Sequence, residues 1–150
     1  MVSLQGVQHV GVAVSDLARS LTFYADVLDV RPAFVADGSG DALSQAVGVP
    51  DADLKFAFLK VGDSVLELLE YTQPTGRAYA LRNCDVGACH IAFAVDDIDA
   101  MCKTLESRGV KFNAPPLQID EGPLAGSTFA YFTDPDGVQL ELFQVAAECA

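Results

Sequence analysis

Apolar residues along the chain change their period repeatedly, and the order of those changes occurs twice. Over residues 7–14, Val-Gln-His-Val-Gly-Val-Ala-Val, side chains alternate with a period of two, which predicts a strand. Asp16 is a suitable N-cap, and Leu17, Leu21, Tyr24 and Leu28 then recur at helical spacing, predicting a helix that ends near Asp29. Residues 31–36 read as a second strand. Residues 37–53 carry Gly38, Gly40, Gly48 and Pro50 and predict a loop, with a helical turn over 43–47. Residues 54–61 and 65–71 are two further strands, joined by a Gly62-Asp63 hairpin turn.

After a connection over 72–87 that contains Pro74 and Gly76, the same order returns. Residues 90–95 predict a strand, Asp97 caps a helix through about Arg108, and Gly109 stands where glycine favours the C-terminal turn. Residues 110–112 predict a short strand and 113–126 a long loop rich in Pro and Gly. Residues 128–133 and 138–144 are the last two strands, separated by the turn Asp134-Pro135-Asp136-Gly137. The pattern is two tandem β-α-β-β-β modules, about 7–71 and 88–144, in one α+β domain spanning 1–150. The modules are expected to curl together as a cup-shaped mixed sheet with a cleft.

The repeat also carries the chemistry. His9 and His90 are the only two histidines, and they occupy the same place in the two first strands. Alternation puts His9 on a face with Gly11 and Ala13, and His90 on a face with Ala92 and Ala94, leaving room beside each imidazole. Val10, Val12 and Val14, or Ile91, Phe93 and Val95, would point into the core. Each closing strand places a glutamate four residues past its turn: Glu67 after Asp63, and Glu141 after Gly137. A lone carboxylate amid Leu and Val is costly to bury, so each needs a partner. Glu70 lies three residues on from Glu67, faces the other way, and is read as an exposed or rim residue.

His9, Glu67, His90 and Glu141 are therefore expected to converge on one divalent cation. Two neutral imidazoles and two carboxylates balance a 2+ charge, and mixed N/O donors suit Ni, Co, Fe, Mn or Zn.

Composition narrows the partners. The 150 residues are 51% hydrophobic and 20% charged, as in a globular chain. A net charge of −12 disfavours nucleic acid and anionic membranes. No basic, apolar leader opens the chain, and no apolar stretch approaches the roughly 20 residues that span a bilayer, so a cytoplasmic location is expected. Cys84, Cys89, Cys102 and Cys149 form no Cys-x-x-Cys pair; Cys89 and Cys102 are expected to be buried free thiols.

These motifs resemble the vicinal oxygen chelate superfamily, which includes the glyoxalase, bleomycin-resistance and extradiol-dioxygenase proteins. The resemblance rests on His-Val-Gly-Val-Ala-Val-Ser-Asp-Leu, Phe23-Tyr24, His-Ile-Ala-Phe-Ala-Val-Asp-Asp-Ile and Asp-Pro-Asp-Gly-Val-Gln-Leu-Glu-Leu, and it covers residues 7–144. It implies that His9, Glu67, His90 and Glu141 bind the metal, that the partner is a small-molecule substrate, and that the chain forms a homodimer. The likeness is greatest to glyoxalase-like and methylmalonyl-CoA epimerase-like members. It implies a lyase or isomerase that moves a proton next to a metal-chelated carbonyl through an enediolate or enolate, with Glu141 or Glu67 as general base. An Fe(II) extradiol dioxygenase and an antibiotic-type binding protein are the alternatives. Glyoxalases of this type place an arginine four residues after the first histidine, where this chain has Ala13, a departure that argues against glutathione. The loops over 37–53 and 113–126 are the expected specificity elements, with Tyr71, Arg77, Tyr79, Tyr131 and Phe143 as candidate lining.

Overall fold

A computed structural model describes residues 3–147 of the chain. Its elements are β1 (Val10–Ala13), α1 (Leu17–Leu28), β2 (Pro32–Gly38), α2 (Asp41–Val47), β3 (Asp53–Val61), β4 (Ser64–Gln73), β5 (His90–Ala94), α3 (Ile98–Ser107), β6 (Leu117–Gln118), β7 (Thr128–Thr133) and β8 (Gln139–Gln144). They fall into two compact units, Met1–Ala78 and Tyr79–Ala150, whose boundary lies inside the expected connection. Each unit holds one four-stranded mixed sheet, ordered β1-β4-β3-β2 in the first and β5-β8-β7-β6 in the second. The topologies match pair for pair: β1 lies parallel to β4 and β5 to β8, while the other neighbours are antiparallel. The α+β class and the tandem repeat are as the sequence predicts.

Each helix starts where its aspartate caps it. Asp16 accepts from the backbone N–H of Arg19, and Asp97 from that of Ala100, both at 2.9 Å. Each helix then packs an apolar stripe on its own sheet. In the first unit Leu17 and Tyr24 are buried with Val12, Val14, Leu59, Leu66 and Leu68; in the second, Ile98, Cys102 and Leu105 are buried with Phe132, Leu140 and Leu142. Burying such side chains contributes roughly 1.5–3 kcal/mol each, which is why two short helices suffice to cover one face of each sheet. The opposite faces carry the histidines and glutamates.

Several local expectations are corrected. Residues 110–112 form no strand, because the Val110 amide is consumed closing α3, donating at 3.0 Å to the Leu105 carbonyl. The short strand is β6, later in the expected loop, where Leu117 and Gln118 pair with Phe129 and Thr128. The helical turn expected within 37–53 is the full two-turn helix α2. Val10, at the first position of β1, is 43% exposed and not part of the core. Cys89 precedes β5 and is exposed, while Cys102 is buried as expected; Cys149 lies outside the described residues. No helix among the described residues is long and apolar enough to cross a membrane.

Candidate metal centre

In the first unit, the parallel pairing of β1 with β4 sets Gly11 beside Glu67, and His9 immediately precedes β1. His9 Nε2 lies 3.2 Å from Glu67 Oε2. A Cβ at Gly11 would touch Glu67 Oε2 at 3.5 Å, an ordinary contact, and press slightly on Leu69 Cδ1 at 3.3 Å. The Gln8 side-chain oxygen meets His9 Nδ1; in the tautomer that donates to it, Nε2 is the nitrogen left to serve as a ligand. A lone pair and a carboxylate oxygen facing each other repel unless a proton or a cation stands between them.

The second unit repeats the arrangement. His90 opens β5, Ala92 stands beside Glu141 in the parallel register, and His90 Nε2 lies 3.0 Å from Glu141 Oε2. Glu141 is buried at 6% exposure, a position a carboxylate does not hold without a partner. The Tyr131 hydroxyl lies 3.3 Å from His90 Nε2 and its ring meets the imidazole edge-on. Burial, then the negative Glu141 beside it, hold the Tyr131 phenol above its usual pKa. Below Tyr131, a cavity of about 170 Å³ is lined by Phe129, Leu117, Pro115, Asn83 and Asn113. Part of the expected specificity loop over 113–126 thus forms one wall of this cavity.

Both pairs fit a divalent cation. Donors about 2.1 Å from an octahedral cation stand about 3.0 Å apart, close to the 3.2 and 3.0 Å separations here, which are also the length of an imidazole–carboxylate hydrogen bond. His9 is brought to Glu67 and His90 to Glu141, as two half-sites of two donors each. Within neither unit do three or more His, Cys, Asp or Glu side chains gather as a metal site among the described residues.

Glu70 is a correction. Its carboxylate is half-buried and accepts at 2.9 Å from the backbone N–H of Leu17, at the start of α1. Gln144, three residues past Glu141, does the same for Ile98 at 2.7 Å. The repeat therefore extends to a second polar residue on each closing strand, one that anchors the helix. Asp134 is a polar core residue that the apolar pattern does not mark. Its Oδ1 accepts from the backbone N–H groups of Asp136 and Val138 at 2.9 and 2.8 Å, and burial pushes its carboxyl pKa up. The Asp-Pro-Asp-Gly turn was the available indication, since an aspartate opening a turn commonly bonds backbone two residues on.

The chain is similar to known proteins in sequence and in fold. A sequence profile of the Glyoxalase/Bleomycin resistance protein/Dioxygenase superfamily matches residues 6–142. The chain is 36% identical to a 2-epi-5-epi-valiolone epimerase from an Actinomyces species, over 94% of this chain and 80% of that protein. It is 31% identical to a probable lactoylglutathione lyase from a Synechocystis strain, over 93% of this chain and 95% of that one. Among solved structures, a glyoxalase family protein from Bacillus cereus aligns with a TM-score of 0.82 at 19% identity, covering 97% of each chain.

Proposed function

The chain belongs to the Glyoxalase/Bleomycin resistance protein/Dioxygenase superfamily, and from that premise we propose that it is a metal-dependent isomerase, of epimerase type, that moves a proton on the carbon next to a carbonyl. The observation that carries the reading is the twinned pair of His and Glu, each spaced like two neighbouring donors on one ion. In this reading His9, Glu67, His90 and Glu141 supply four donors to a single divalent cation, and both half-sites serve it, within one chain or across two copies. When bound, such a cation polarises a carbonyl and makes the adjacent C–H more acidic.

The remaining steps belong to the chain. One carboxylate accepts the proton from carbon, the C–H electron pair moves toward the carbonyl oxygen, and the same carboxyl group returns the proton. Inversion requires that the planar intermediate turn its opposite face to that carboxyl before the proton returns; return to the neighbouring carbon isomerises. The cavity beside Tyr131 offers an apolar wall and two asparagine side chains for the body of the substrate. Ala13, exposed on β1, leaves that position without the arginine that would serve glutathione. Together with the epimerase relative, this weighs toward an epimerase rather than a glutathione-dependent lyase.

The test is solvent isotope exchange. Metal-loaded protein is incubated in D2O with 2-epi-5-epi-valiolone, with the hemithioacetal of glutathione and methylglyoxal, and with methylmalonyl-CoA. Deuterium entering next to the carbonyl of the first, with inversion, is the expected result. No exchange in any of them, with oxygen consumed on adding a catechol to the Fe(II) form, would make it a dioxygenase instead.

A further inference from the structure

The two half-sites differ at one position that touches both the histidine and the glutamate. Across the β4–β3 pairing Glu67 stands opposite Phe58, and across the β8–β7 pairing Glu141 stands opposite Tyr131. Both rings meet their histidine edge-on, at 5.3 Å and 62° for Phe58 and 5.2 Å and 73° for Tyr131. The rings are placed alike, so at this position the two halves differ by one hydroxyl. That hydroxyl lies 3.3 Å from His90 Nε2. Once the Nε2 lone pair is given to a cation, the nitrogen can neither accept from the hydroxyl nor donate to it. The phenolic proton is then left for the Glu141 carboxylate across the strand pair.

Glu67 has no such neighbour. Phe58 offers it only carbon, and among the described residues His9 is its one polar partner. Burial runs in the same direction: the Glu141 side chain is 8% exposed and that of Glu67 16%. We propose that Tyr131 is a positioning residue that makes the two carboxylates unequal, holding Glu141 as a fixed ligand and leaving Glu67 as the carboxylate that comes off the cation and carries the proton. This rests on the four-donor reading above. Outer hydrogen bonds of this kind orient metal ligands, and their loss typically weakens metal binding by about 10–100-fold.

The test is a Co(II) titration of the full chain after chelation, followed by the visible absorption of the bound ion, for wild type, Tyr131→Phe, Phe58→Tyr, Glu67→Gln and Glu141→Gln. Phenylalanine already occupies this register position in the first half, so Tyr131→Phe is expected to fold as wild type does. It should bind Co(II) about tenfold or more weakly and shift the visible band, which a role in packing alone would not move. Phe58→Tyr, by restraining Glu67, should tighten Co(II). Glu141→Gln should weaken binding more than Glu67→Gln. Wild-type affinity and spectrum in Tyr131→Phe, or the reverse order for the two glutamine variants, would overturn the inference while leaving the four-donor site standing. Failure of wild type to bind Co(II) would overturn the four-donor reading itself.

Discussion

The Glu70 carboxylate accepts a 2.9 Å hydrogen bond from the backbone N–H of Leu17, and so ties the closing strand of the first sheet to the first residue of its helix. The bond satisfies one of the orphan amides at a helix start and places a negative charge at the positive end of the helix dipole. Because Glu67 and Glu70 lie three residues apart on β4, one turns toward His9 and the other toward α1. The same strand thus builds the half-site and anchors the helix behind it.

Glu70→Ala should lower unfolding free energy by about 0.5–2 kcal/mol, the usual cost of losing a cap. Glu70→Gln should stay within about 0.5 kcal/mol of wild type, because Gln144 already makes the equivalent bond in the second unit. Denaturant unfolding of the two variants measures this. Equal damage from both would mean that charge, not the hydrogen bond, does the anchoring.

Asp134 predicts a dependence of stability on pH. Burial raises its carboxyl pKa in the folded chain, so folding favours the protonated form. That contribution is fully present below the ordinary carboxylate value, about 3.9, and is lost as pH rises through the raised folded value. Asp134→Asn keeps an acceptor for the Asp136 and Val138 amides and cannot ionise. Its stability relative to wild type should therefore rise with pH over this window and then level off. Thermal unfolding from pH 3 to 8 would contradict this if wild type gained on the variant instead.

Gly11 predicts a steric effect confined to the half-site. A Cβ there meets Glu67 Oε2 at 3.5 Å and Leu69 Cδ1 at 3.3 Å. Gly11→Ala should be accommodated by a small shift of the Leu69 side chain. Gly11→Val should press on the carboxylate and weaken metal binding roughly tenfold, the lower end of what disturbing a ligand's support costs, with little change in melting temperature. Unchanged affinity in the valine variant would show that Glu67 does not need this space.

Much of the architecture was legible because period and caps agreed. Asp16 and Asp97 cap where the apolar period changes, and the two hairpin turns mark the closing strands. The His–Glu pairing was legible because the repeat gave each histidine a glutamate at a fixed distance from its turn. What escaped depended on bonds that leave no periodic trace. Residues 110–112 alternate like a strand, yet the Val110 amide belongs to the end of α3. Glu70 looked like a surface charge because its partner is a backbone N–H on an element 53 positions away in sequence. Tyr131 could be named as lining, but its place against His90 and Glu141 depends on the register of β7 against β8, which the sequence does not specify residue by residue.

The most direct measurement is the metal stoichiometry of the purified chain, by elemental analysis after loading and desalting, for wild type and for His9→Ala, Glu67→Gln, His90→Ala and Glu141→Gln. If the two half-sites serve one ion, wild type holds one divalent cation per chain, and His9→Ala in the first unit empties the site as His90→Ala does in the second. Two ions per wild-type chain, or binding in one unit that persists when the other unit's histidine is removed, would contradict the account.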